Sequence, residues 1–327
     1  MPATDALRAR AAAVAQRVFD GPLAVTAAGV SFQNPLVLAS GTAGFGRELA
    51  RTMDLEALGG FVTKAVSPAP RTGAPAPRVG EFPGGMINAV GLANPGLDAV
   101  GATRLAWSRD HLQRARVIVN VVGSRVDDYA TVVAGLDALA GHVAYELNVS
   151  CPNTDAGGTE FGADPVALRA VVLGARARTT RPLFVKLSPS LTDIVAAAHI
   201  AVDAGANALT LVNTMPGLVI DVESRRPVLG FGTGGVSGAA LLPVGVRATW
   251  LVHRALPLVP IFGIGGVSSV TDVVQYVMAG ATLVGIGTAA MQDPRRPEAL
   301  VRELGAWLAS HRVRHVDEIR GVLEWPP

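Results

Sequence analysis

Short apolar runs rich in β-branched residues alternate with longer amphipathic stretches along almost the whole chain. Eight short runs have the length and composition of buried strands; they are residues 35–39, 60–65, 117–122, 143–149, 183–187, 208–213, 259–264 and 282–286. The stretches that follow them have the apolar spacing of helices; they are residues 46–58, 97–116, 127–140, 164–178, 192–204, 238–255, 270–279 and 294–311. Such alternation is typical of a parallel sheet covered on both faces. Eight units in succession predict an α/β fold, a closed (β/α)₈ TIM barrel.

The residues before the first strand predict a helix and a hairpin. Residues 1–22 have charged side chains spread through an Ala/Val background and are interpreted as a helical extension, and residues 23–32 as a hairpin below the barrel. We expect one barrel domain over residues 23–327. The extension lacks the apolar run of a signal peptide, and no stretch approaches the roughly 18 apolar residues that span a bilayer. We therefore expect a cytoplasmic protein, with a helix lying on a membrane surface as the weaker alternative.

Two connections are longer than a minimal barrel needs. One runs from residue 66 to about residue 95 and is rich in proline and glycine, and the other covers residues 214–235. Both follow predicted strands, so both should lie over the C-terminal mouth, where barrel enzymes place their catalytic residues. Because loops of this length in a compact fold are usually functional, we expect them to contribute to a binding site.

The amino-acid composition excludes several kinds of site and singles out two lysines. The formal net charge is +2, without a basic stripe that would bind nucleic acid, and the six histidines lack metal-ligand spacing. Cys151 is the only cysteine, so the chain alone cannot form an internal disulfide or a cysteine-ligated iron–sulfur cluster. Of the 28 basic residues, only Lys64 and Lys186 are lysines, and both lie near predicted strand ends. A guanidinium cannot replace a compact ammonium in a tight site, so we interpret both lysines as functional rather than retained by chance.

Amide and glycine residues gather at the same strand ends. The amides are Asn88, Asn120, Asn148, Asn153 and Asn213. An amide side chain can both donate and accept hydrogen bonds, so this group suits a planar heterocycle with alternating C=O and N–H groups, although any one asparagine could be a turn residue. The last two strands end in glycine-rich runs at residues 263–268 and 285–288, whose N–H groups can bind a phosphate. A lone cysteine is usually an inert buried residue, but Cys151 lies between two asparagines in a loop, which favours chemistry.

Together these stretches resemble the dihydroorotate dehydrogenases from about residue 23 onward. Besides the two glycine-rich runs, the matching segments are 38–41 (LASG), 63–65 (TKA), 88–92 (NAVGL), 148–153 (NVSCPN), 185–189 (VKLSP), 212–214 (VNT) and 234–238 (GGVSG). In that family the membrane-associated class 2 enzymes use serine as base and class 1 enzymes use cysteine, so Cys151 indicates class 1. Residues 154–162 resemble class 1B, whose catalytic subunit works with a second subunit that carries FAD and a [2Fe–2S] cluster and reduces NAD⁺.

The resemblance implies a reaction and a set of site residues. The reaction is the oxidation of (S)-dihydroorotate to orotate in pyrimidine (UMP) biosynthesis, in which Cys151 removes a proton from C5 and FMN N5 accepts hydride from C6. Lys64 would contact both flavin and substrate, and Lys186 would lie near the flavin pyrimidine end. The implied substrate-binding residues are Lys64, Asn88, Val90, Gly91, Leu92, Asn148, Asn153, Asn213 and Thr214. The implied FMN-binding residues are Ala39, Ser40, Gly41, Lys64, Asn120, Asn148, Lys186, Val212, Gly238, Gly265, Gly266, Gly287 and Thr288. No metal site is expected.

Partners and rival functions follow from the same resemblance. We expect a homodimer, or a heterotetramer with the iron–sulfur/FAD subunit, and neither nucleic acid nor membrane as a partner. One rival is a class 1A enzyme that passes electrons to fumarate, and another is a related flavin barrel that oxidises dihydropyrimidine bases. A third is a non-catalytic flavin-binding barrel. The sequence leaves open the electron acceptor, the presence of the partner subunit, the oligomeric state, the role of the extension and the dynamics of the loop around Cys151.

Overall fold

A computed structural model describes residues 17–150 and 160–326 of the chain. The strands in these ranges, numbered along the chain, are β1 (Val25–Ala27), β2 (Val30–Phe32), β3 (Leu36–Leu38), β4 (Gly60–Val62), β5 (Val79–Phe82), β6 (Gly85–Asn88), β7 (Arg116–Val121), β8 (Ala144–Asn148), β9 (Leu183–Leu187), β10 (Ala208–Leu211), β11 (Met215–Gly217), β12 (Ile220–Asp221), β13 (Arg226–Pro227), β14 (Gly234–Ser237), β15 (Ile261–Ile264) and β16 (Leu283–Ile286).

The helices mostly follow the barrel strands. They are α1 (residues 97–111, with a π-helical turn at Val100–Arg104), α2 (Val126–Asp137), α3 (Pro165–Arg176), α4 (Ile194–Asp203), α5 (Leu242–Ala255), α6 (Val270–Met278), α7 (Thr288–Gln292) and α8 (Arg296–Ser310). Their starts follow local rules: Asp164 and Asp193 accept backbone N–H groups at the starts of α3 and α4. In the part of the chain that the structure describes, each helix is too short or too polar to span a bilayer.

Eight parallel strands close into a barrel, which confirms the predicted (β/α)₈ fold. The order around the barrel is β3, β4, β7, β8, β9, β10, β15 and β16, and β16 pairs with β3 to close it. Each predicted run coincides with one barrel strand, although most strands are shorter than predicted. The division of the chain into a separate extension and one domain stays a prediction, because residues 1–16 lie outside the described ranges.

Two predicted helices need correction. Residues 46–58 form isolated turns and a 3₁₀-helix at Leu55–Ala57, because the extended Asp54 starts a new turn by accepting the Glu56 N–H. The predicted helix 97–116 ends at residue 111, where Leu112 is extended and leads into β7. Arg116, assigned from sequence to that helix, begins β7 instead and donates to the carbonyl oxygen of Ser31 at the bottom of the barrel.

The predicted hairpin is confirmed as the antiparallel pair β1–β2, whose buried side chains join the core beneath the barrel. Arg116 ties this hairpin to the barrel, since its Nε group lies 2.8 Å from the Ser31 oxygen. Burial lowers the pKa of Arg116 to about 10. The bottom of the barrel is therefore closed by apolar packing and one buried guanidinium, which leaves the opposite end open for a site.

The residues that face the inside of the barrel are apolar near its bottom and polar near its C-terminal mouth. The lower layer of the barrel interior is apolar and contains Ile118, Ala144, Phe184, Ala208 and Phe262. Two residues further along the strands, the same faces carry Asn120, Glu146, Lys186 and Thr210, all of them buried. The core therefore ends at a polar layer below the C-terminal mouth.

The two long connections build a second sheet, which the sequence did not predict. Its four antiparallel strands follow the order β11, β14, β6 and β5, and Gly235 pairs with Asn88. The remaining pair, β12–β13, projects from the second connection. The expectation that both connections contribute to the mouth is confirmed, but as ordered strands rather than irregular loops.

Candidate active site

A cavity of about 1060 Å³ lies between the C-terminal strand ends and the second sheet. Every predicted site residue within the described ranges lines it. After β3 come Ala39, Ser40 and Gly41; after β4, Lys64; on β6 and its following loop, Asn88, Val90, Gly91 and Leu92; on β7, β8 and β9, Asn120, Asn148 and Lys186; after β10, Val212, Asn213 and Thr214; after β14, Gly238; after β15 and β16, Gly265, Gly266, Gly287 and Thr288. Cys151 and Asn153 lie outside the described residues.

The two lysines bring positive charge to this cavity. Lys186 is buried, at 5% exposure, and Lys64 is partly buried. Within residues 17–150 and 160–326, neither ammonium group forms an ion pair. A buried charge without a counter-ion is costly unless a ligand compensates it. The site is therefore suited to a ligand that carries or develops negative charge.

Amide side chains form a connected group at the ends of β8 and β10. Asn213 donates through Nδ2 to Oδ1 of Asn148 over 3.2 Å, and the Ser150 N–H donates to the same oxygen. The oxygen of Asn213 accepts the N–H of Thr214 over 2.8 Å. Asn148 lines the cavity, and no acceptor for its Nδ2 group is found among the described residues, so this group can donate to a ligand. Such donors suit the carbonyl or carboxylate oxygens of a ligand.

A buried carboxylate below the cavity was missed from the sequence. Glu146 accepts from Nδ2 of Asn120 over 2.7 Å and from the hydroxyl of Thr210 over 2.9 Å. This hydrogen bond holds the Asn120 amide with its nitrogen towards Glu146. The buried Asn120 Oδ1 then has no partner among the described residues. A glutamate at an inward position of an otherwise apolar strand was the signal that could have identified this group.

The glycine-rich end of β15 forms a narrow backbone cradle. Gly265 and Gly266 have φ values of +122° and +79°, which favour glycine. A Cβ on Gly266 would lie 2.5 Å from the backbone nitrogen of Leu242, so the backbone passes where no side chain fits. On the neighbouring strand end, Thr288 donates its hydroxyl to Ser237 over 2.9 Å. The cradle leaves backbone N–H groups close to the cavity, as a phosphate site requires.

Several charged and apolar residues line the cavity without having been predicted. Among them are Arg71, Glu81, Phe82, Glu160, Phe231 and Met291. Burial raises the pKa of Glu160, and its hydrogen bond with Ser188 opposes that shift. These residues belong mainly to the long connections and to the end of the β8–α3 connection. For Arg71, Glu81, Phe82 and Phe231, the sequence signal was the length of the two long connections.

Comparison with known proteins finds one family for this chain. The sequence profile described as "Dihydroorotate dehydrogenase" matches residues 22–308. The chain is 44% identical over 302 residues to "Dihydroorotate dehydrogenase B (NAD⁺), catalytic subunit" of Geobacter sp. (strain M21), covering 92% of this chain and 98% of that protein. It is 45% identical over 303 residues to the protein with the same description in Desulforudis audaxviator, covering 91% and 96% of the two chains.

Proposed function

Because this chain belongs to the dihydroorotate dehydrogenase family, we propose that it is the class 1B catalytic subunit, which oxidises (S)-dihydroorotate to orotate in pyrimidine biosynthesis. The observation that carries this proposal is that one cavity collects both lysines, the amide group and the two glycine-rich strand ends. The similarity extends over 98% of the length of a relative that is named as a catalytic subunit.

The family uses a flavin, and the residues around the cavity fit FMN. The unpartnered Asn120 oxygen can accept an N–H or O–H donor of the cofactor, and Lys186 offers a positive charge without a competing carboxylate. The glycines after β15 and β16 would bind the phosphate through backbone N–H groups. Ala39, Ser40 and Gly41, on the neighbouring strand end, would complete this part of the binding site.

When bound, FMN would supply a two-electron acceptor for the hydride that leaves C6 of dihydroorotate. The chain's own residues bind the substrate and move the proton. The thiolate of Cys151 removes the proton from C5, and loss of such a base costs roughly 10²–10⁴ in rate. Lys64 and the donors of Asn148 and Asn213 orient the substrate by binding its oxygen atoms. Asn88 and residues 90–92, which also line the cavity, hold the other side of the substrate.

A second subunit that carries FAD and a [2Fe–2S] cluster would then accept the electrons, with NAD⁺ as the final acceptor. A separate subunit is consistent with the presence of a single cysteine, which cannot hold a cluster. The relatives' names support NAD⁺ over the class 1A acceptor fumarate. The homodimer or heterotetramer and the cytoplasmic location remain predictions.

Anaerobic flavin reduction tests the proposal. The purified chain should be yellow, and dihydroorotate should bleach its flavin absorbance rapidly in the absence of oxygen. Cys151→Ser should bind the same flavin but bleach roughly 10²–10⁴ times more slowly. Stopped-flow absorbance near the flavin maximum measures both rates. A wild-type protein that keeps its colour with dihydroorotate would refute the proposed reaction.

Two further substrates separate the rival functions. Bleaching by dihydrouracil but not by dihydroorotate would indicate an enzyme acting on dihydropyrimidine bases, and inertness towards both would indicate a non-catalytic flavin protein. Fumarate reduction by the chain alone would indicate class 1A. For class 1B, we expect NAD⁺ reduction only when the FAD and iron–sulfur subunit is present.

A further inference from the structure

A buried tyrosine lies directly behind the glycine-rich end of β15. Tyr276 belongs to α6, is fully buried, and donates its hydroxyl to the carbonyl oxygen of Gly265 over 2.8 Å. Two further glycines make room for it: a Cβ on Gly245 would collide with the hydroxyl, and one on Gly263 would collide with the ring. Burial, together with the Asp272 carboxylate, raises the pKa of Tyr276, so the hydroxyl remains a protonated donor.

This hydrogen bond sets the direction of one peptide group. The Gly265–Gly266 peptide is trans, and in a planar trans peptide the C=O and N–H bonds point in opposite directions. Since the Gly265 carbonyl points to Tyr276, the Gly266 N–H points away from it. Both glycines line the cavity, and across residues 17–150 and 160–326 no acceptor is found for the Gly266 N–H.

The start of helix α6, which follows β15 in the chain, is less able to bind an anion than the Gly266 N–H. Asp272 accepts the N–H of Ser268 over 2.9 Å and that of Ser269 over 2.8 Å. A carboxylate of the chain itself thus occupies the start of α6, where a phosphate would otherwise bind. An anion at this end of the cavity therefore depends on the glycine N–H groups and on their orientation.

We infer that Tyr276 is a positioning residue for the phosphate of FMN: it holds the Gly265–Gly266 peptide so that the Gly266 N–H faces the phosphate. This inference rests on the proposed flavin function. The hydrogen bond accepted by the Gly265 carbonyl also polarises the peptide, which makes its N–H a stronger donor. Tyr276 acts through the peptide and does not itself line the cavity.

Riboflavin, which lacks the phosphate, gives a direct test. The Kd values of FMN and riboflavin are measured by flavin fluorescence on the full chain stripped of flavin, for the wild type and for Tyr276→Phe. We expect the ratio of the riboflavin Kd to the FMN Kd to fall about fivefold in the variant, which corresponds to about 1 kcal/mol. The riboflavin Kd itself should not change.

Tyr145→Phe is the matched control. Tyr145 is also fully buried and donates to a backbone oxygen, that of Val133 over 3.4 Å, but it does not line the cavity. An unchanged riboflavin-to-FMN Kd ratio in Tyr276→Phe would overturn the positioning role, whether both affinities stay the same or both fall equally. The same fall of this ratio in Tyr145→Phe would also overturn it. A wild type that binds no FMN would instead overturn the proposed flavin function, and the inference with it.

Discussion

Replacing His142 with leucine should make the protein less sensitive to acid. His142 lies just before β8, is buried, and has no hydrogen-bond partner for either ring nitrogen in the part of the chain that the structure describes. Burial and the nearby Arg181 guanidinium hold the pKa of His142 well below its usual value of 6.5. The folded ring therefore stays neutral where the unfolded chain binds a proton, so stability is lost as the pH falls through 6.5.

The size of the effect follows from proton linkage. Between pH 8 and pH 5, protonation of the unfolded imidazole lowers the free energy of unfolding by about 2 kcal/mol, provided that the folded ring stays neutral. With an unfolding entropy of about 2.1 cal/mol/K per residue, this corresponds to about 3 °C in Tm for a chain of 327 residues. Leucine has a similar volume and binds no proton, so the variant should lack this part of the pH dependence.

Thermal unfolding by circular dichroism at both pH values checks this prediction. The drop in Tm from pH 8 to pH 5 should be about 3 °C smaller in His142→Leu than in the wild type, because the contributions of all other groups cancel in the comparison. His199→Leu is the control, since His199 is exposed and in contact with water in both states. Equal drops in the wild type and in His142→Leu would refute the reasoning.

Three substitutions test the cavity itself. Gly266→Ala should abolish flavin retention during purification, whereas Gly232→Ala, with a similar positive φ and nothing within 4 Å, should retain flavin. Glu146→Leu leaves two buried donors without an acceptor, at about 1–3 kcal/mol each, and should lower both Tm and FMN affinity more than Glu146→Gln, which keeps an acceptor; equal effects would contradict this. Lys186→Met should slow anaerobic flavin reduction roughly 10²–10³-fold, and Lys186→Arg should not restore the rate.

Local patterns were sufficient to predict the barrel and most of its mouth. Strand and helix periodicities extend over a few residues, so each of the eight strands could be recognised separately, and their alternation with helices implied parallel pairing. Once the barrel was assumed, residues at strand ends had to converge. Lys64, Lys186, Asn148 and Gly266 could therefore be assigned to one site, and the structure places all four around one cavity.

Contacts between distant segments could only come from the tertiary structure. Gly235 pairs with Asn88, and this pairing of two connections left no periodic signal in either one. Arg116 continues a helical pattern in the sequence, but barrel closure and the Ser31 carbonyl place it in a strand. Glu146 meets its donors on β7 and β10 only inside the closed barrel, and Tyr276 reaches Gly265 only after α6 packs against the barrel. Such contacts depend on three-dimensional packing, so no local pattern encodes them.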